Sequence, residues 1–151
     1  MGAWGPGPFD NDDAMDLLLA YEERGTDALR EVLAQPDDRQ GDGFIDADLG
    51  GRLIALGEIV AACHGHPMRG GPSDFPMGAD PERFKVQMAA HASDVRAEPA
   101  LLAGARGAVN GLLANPKVSE LAGLWQEGQQ LDAFARTIAD LEARLAKAAA
   151  S

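Results

Sequence analysis

Only 12 of the 151 residues are β-branched: six Val, four Ile and two Thr. Strands are built from these residues and from aromatics, which make up 5% of the chain, so a sheet-rich fold is largely excluded. Ala and Leu dominate instead, and both favour helix. The hydrophobic share of 46% supplies enough apolar material for a core, which argues against disorder along the whole chain. At this length one domain is expected, spanning residues 1–151.

The order of helices follows from apolar spacing and punctuation. Residues 1–9 are rich in Gly and Pro and are expected to be non-helical. Asp10 or Asn11 then offers an N-cap, and Ala14, Leu17, Leu18 and Tyr21 recur at i, i+3, i+4, i+7 as one buried face. Gly25 ends that helix. Thr26 or Asp27 caps the next, with Ala28, Leu29, Val32 and Leu33 on its apolar side and Pro36 after it. A third helix starts near Asp46 with a stripe of Leu49, Leu53, Leu56 and Val60, although Gly50, Gly51 and Gly57 each weaken it by roughly 1 kcal/mol. Residues 64–81 read as a long Gly/Pro-rich loop. Helix returns at Pro81, with Phe84, Met88, His91 and Val95 on one side. Pro99 opens a fifth helix carrying Leu102, Ala105, Val109, Leu112 and Leu113, which Asn115-Pro116 breaks. Val118, Leu121, Ala122 and Trp125 mark a short sixth. Leu131, Phe134, Ile138, Leu141 and Leu145 give the last helix a heptad-like seam, and residues 147–151 are expected to fray. The sum is an all-α bundle of six or seven short helices.

Charge narrows the partners. Thirteen basic residues against 24 acidic ones leave a net charge of −11, with only Lys85, Lys117 and Lys147 among the lysines. Nucleic acid and anionic membrane surfaces are therefore not expected partners, whereas a basic protein stays open as one. Cys63 is the sole cysteine and cannot form an internal disulfide. Met1 to Pro6 shows neither a basic n-region nor an apolar h-region, and Leu53 to Cys63 covers about half a membrane span and contains Glu58. A cytoplasmic, soluble protein is the expectation.

The opening Met1-Gly2-Ala3-Trp4-Gly5-Pro6-Gly7-Pro8-Phe9-Asp10-Asn11-Asp12 resembles the start of a bacterial family, domain of unknown function 4259. The stretch Asn115 to Glu127 resembles that family's penultimate helix, and the likeness runs in order through nearly the whole chain. The resemblance implies a compact bacterial helical domain and no particular reaction.

Four constellations have chemical potential. Asp10, Asp12, Asp13 and Asp16 cluster at the first helix start. Asp12 and Asp16, one turn apart, could hold a divalent metal, although N-capping and the helix dipole are the preferred account of acids there. Trp4 and Phe9 beside them would form a ligand wall or a hydrophobic staple. Asp38, Gln40, Asp42 and Asp46 fall at calcium-loop spacing, but Leu49 stands where the bidentate Glu belongs, which leaves Asp46 as a helix cap. Cys63, His64 and His66 suit zinc in type and lack an evident fourth ligand, so Cys63 reads as core and His91 as a packing residue. Met68, Phe75 and Met77 make the 64–81 loop apolar enough for a partner contact.

Two functions compete. The first is an acidic, non-catalytic protein-binding domain of the immunity or accessory kind, monomeric or homodimeric and without a cofactor. Its contacts would fall on Trp4, Phe9, Asp10, Asp12, Asp16, Met68, Phe75 and Met77. The alternative is a metal-binding protein or small metal-dependent enzyme using Asp12, Asp16, His64 and His66. A nucleic-acid mimic ranks last, because the acids are not arrayed along one face.

Overall fold

The structure, a computed structural model, describes residues 12–34, 45–67, 86–110 and 112–150. Among these, seven α-helices form: α1 (Asp12–Arg24), α2 (Thr26–Ala34), α3 (Ala47–Cys63), α4 (Ala92–Arg96), α5 (Pro99–Val109), α6 (Glu120–Glu127) and α7 (Leu131–Ala150). A further helical turn covers residues 86–88. The described residues contain no named strand, so the fold is all-α, as composition requires.

Helix α3 is the axis of the bundle. It packs against each of the other six helices. From Leu49 to Cys63 every residue except Arg52 is buried, so the expected one-sided stripe is in fact a helix covered all round. Its glycines explain how. A Cβ on Gly57 would lie 3.0 Å from Leu141 Cδ2 and 3.2 Å from Val109 Cγ2. The residues that weaken α3 as an isolated helix are the ones that let α5 and α7 close onto it.

Caps fix where α3 and α6 begin. The Asp46 carboxylate accepts from Leu49 N–H at 2.8 Å, and the Ser119 hydroxyl accepts from Ala122 N–H at 3.2 Å. The two starts are tied together. Ile45 N–H donates to Val118 C=O at 2.7 Å, Glu120 N–H donates to Ile45 C=O at 2.9 Å, and Ala47 N–H donates to the Glu120 carboxylate at 2.7 Å. Val118 therefore lies in the turn before α6 instead of inside it.

Three further boundaries differ from the sequence reading. The expected helix through Phe84 and Val95 is interrupted by a turn at residues 89–91. There His91 N–H donates to the Tyr21 hydroxyl at 3.0 Å, which takes the amide out of the helical ladder. Helix α5 stops at Val109, six residues before Asn115, because Asn110-Gly111 is itself a stop signal. Leu113 is nonetheless buried in the turn that follows. Finally, α7 stays helical to Ala150, with Ala148 buried, where fraying from residue 147 is expected. The seam of Phe134, Ile138, Leu141 and Leu145 is buried within the chain, against α3, α5 and α6.

Candidate functional site

A concavity lies between α2, the first half of α3, and α5. Val32 and Leu33 come from α2. Ile45, Leu49 and Leu53 come from the start of α3, and Ala100, Gly104, Gly107 and Ala108 from α5, with Leu112 just beyond. The groove encloses about 520 Å³, within the range of roughly 300–1,000 Å³ usual for binding sites. Every lining residue is apolar or Gly. The groove can take up apolar groups, yet it presents no side chain able to move a proton or ligate a metal.

Its walls follow from local sequence. On α5, Ala100, Gly104, Gly107 and Ala108 share one helical face and make that wall little more than backbone. Leu33 leans over Gly104, where an added Cβ would meet Leu33 Cδ1 at 2.8 Å. At Gly107 an added Cβ would meet nothing within 4 Å, so the space there is open. Leu112 is 44% exposed at the rim. Near Ala100, Arg30 of α2 spans to Glu98 at the start of α5 with contacts of 2.6 and 2.9 Å, and it also bonds Asp27 and Thr26. The Arg30 bond pulls the Glu98 carboxyl below its ordinary range.

Two buried polar clusters lie elsewhere. Glu58 is 0% exposed and is held by Arg144 through two contacts of 2.6 and 2.8 Å. Arg144 also bonds Asp140 and the His66 carbonyl. Burial pushes the Glu58 carboxyl up, and the Arg144 guanidinium offsets part of that rise. The second cluster joins α1, α3 and the turn before α4. The Tyr21 hydroxyl lies 3.2 Å from Cys63 Sγ, and the His91 ring packs edge-on to Tyr21 at 5.2 Å. Burial raises the Cys63 thiol above its ordinary range, which keeps it protonated and unreactive. His91 Nε2 sits 3.1 Å from the Glu22 carbonyl, so His91 is the packing residue its setting suggests.

The residues singled out in the sequence do not converge. Asp12 and Asp16 are exposed on α1, and it is Asp13 that turns toward α3, where it contacts Arg52 at 3.5 Å. Burial, reinforced by Asp48, raises the Asp13 carboxyl. His64 and His66 follow the far end of α3, roughly 18 Å of helix rise beyond Arg52. His64 Nε2 is buried and has no hydrogen-bond partner among the described residues, and burial depresses this imidazole's pKa. No group of three His, Cys, Asp or Glu able to hold a metal forms among the described residues. Asp46 is the cap of α3. Trp4, Phe9, Asp10, Asp38, Gln40, Asp42, Met68, Phe75 and Met77 lie outside the described residues. The trace of the groove in the sequence is the spacing of small residues along α5, Ala100, Gly104, Gly107 and Ala108. Glu58 stands in the apolar second half of α3, which marks it as an acid in need of a partner without naming Arg144.

An all-α domain wrapped round one apolar helix, with an apolar groove on its side, is the class these features define. The family model described as Domain of unknown function (DUF4259) matches residues 2–137, and the chain belongs to that family. No curated protein and no solved structure matches it. Among the described residues, no helix is long and apolar enough to cross a membrane.

Proposed function

We propose that this chain is a protein-binding domain without catalysis, and that the groove between α2, α3 and α5 is its docking surface. One observation carries the reading: a concavity of about 520 Å³, lined by apolar side chains, glycine and exposed backbone, on a chain of net charge −11. A concavity of this size is in the range that binding sites occupy. Asp12, Asp16, His64 and His66 do not come together, so the groove supports protein binding better than the metal alternative.

A photo-crosslinking residue placed at Gly107 in living cells tests this, with the exposed α7 position Ala139 as control. The expected result is a discrete heavier adduct from position 107 and none from 139. No adduct, or the same adducts from both positions, would overturn the reading.

A further inference from the structure

We infer that the C-terminal end of α3 is an acid-sensitive joint: charging His64 opens the turn through Gly65 and His66 while the rest of the bundle stays folded. This joint lies at the far end of α3 from the groove, and its behaviour does not depend on what the groove binds.

Three observations converge on His64. First, it sits in a well-defined turn. His64 is the C-cap of α3, and Gly65 follows it at φ +87°, in the left-handed region. Gly65 N–H donates to Ala62 C=O at 3.0 Å and His66 N–H to Ala61 C=O at 2.8 Å, the paired bonds that close a helix end of this kind. Second, the imidazole has nowhere to place a second N–H. Its Nε2 is buried and has no hydrogen-bond partner among the described residues. A neutral ring can leave one nitrogen as an idle acceptor, whereas the charged ring must donate from both. A buried N–H that carries charge and finds no acceptor costs more than an idle lone pair. Third, the end of α3 already holds cations. Arg96 of α4 donates to Cys63 C=O at 2.9 Å, and Arg144 of α7 donates to His66 C=O at 3.3 Å. A helix C-terminus ordinarily welcomes a cation, but these two arginines have taken that place. Arg144 has its charge matched by Glu58 and Asp140, and the acid on α4, Asp94, acts on Tyr21. Burial, then Arg96, then His66 disfavour the charged form of His64. The neutral ring therefore fits the closed turn, and the charged ring fits an open one. The open turn binds the proton more readily, so closure weakens as the pH falls through the ordinary imidazole range, roughly 6.5.

Amide hydrogen exchange on the full chain tests the joint, with rates corrected for intrinsic exchange at each pH. Between about pH 7.5 and about pH 5.5, protection of the Gly65 and His66 amides should fall at least about threefold. The amide of Leu56, deep in α3, should keep its protection. His64→Gln, which cannot take a charge, should hold both turn amides protected at both pH values, and His66→Gln should leave the response in place. Should His64→Gln fail to fold, the parent chain carries the test alone. Its His64 ring, followed by NMR titration, should charge below the ordinary imidazole range and in step with the loss of protection at Gly65 and His66. Protection that does not fall, that falls equally in His64→Gln, or that falls at Leu56 as well would overturn the inference. So would a response that His66→Gln abolishes, or a His64 ring that charges with no change in the turn amides.

Discussion

At the scale of single residues, the most consequential contact is the one between Glu58 and Arg144. A carboxylate with no solvent contact is tolerable only with a partner, and Arg144, 12% exposed, is that partner. Arg144→Met should therefore cost about 3–5 kcal/mol in denaturant unfolding, whereas the double variant Glu58→Met/Arg144→Met should lie near the parent or above it. The pH dependence has a definite sign. In Arg144→Met the folded state holds Glu58 in its protonated form to higher pH than the unfolded state does. The folded state then binds more protons between the two pKa values, and its deficit shrinks as pH falls. Thermal scans should show a smaller gap between Arg144→Met and parent at pH 6 than at pH 8, and no such trend for the double variant. The pair was not legible in the sequence. Arg144 stands one helical turn from Asp140 and reads as an ordinary surface pair, while its main partner is 86 positions away. Cys63 and His91 were legible, because an apolar helical context already assigns them to packing.

At the scale of elements, the glycines separate by environment. Gly107 sits in a helix with open space around it, so Gly107→Ala should stabilise by about 0.5–1 kcal/mol through propensity alone. Gly57 is pressed by Leu141 and Val109, so Gly57→Val should cost about 1–3 kcal/mol through overpacking. Gly25 has a φ of +64° and the His91 ring 3.3 Å from where a Cβ would stand, so Gly25→Ala should cost at least about 1–2 kcal/mol. Chemical denaturation of the three variants checks the order. The helices with strong period and clear punctuation, α1 and α2, were legible almost to the residue, and so was the buried seam of α7. The break before α4 was not, because a side chain 70 positions upstream causes it. Likewise the start of α6 was misplaced, since the backbone of Ile45 claims the carbonyl of Val118.

At the scale of the whole molecule, a charge of −11 on 151 residues makes the compact state repel itself. Raising NaCl from about 10 mM to 500 mM shortens the Debye length from roughly 30 Å to below 8 Å and should raise the melting temperature by a few degrees. Gly107→Trp should show the same salt response, because it changes no charge. The fold class was legible here because it depends on composition, which is a property of the sum. The groove was not, since its walls come from three helices whose lining residues run from Val32 to Leu112. The all-round burial of α3 also bears on how the chain is made. Residues 47–63 leave the ribosome long before α5, α6 and α7 exist to cover them. With three glycines, this segment is a poor helix in isolation. Until the seam around Leu141 and Leu145 has been synthesised, the nascent chain carries its most apolar ribbon bare. That interval is when a chaperone would find it, and the order of synthesis makes α7 the last of the described helices to cover α3.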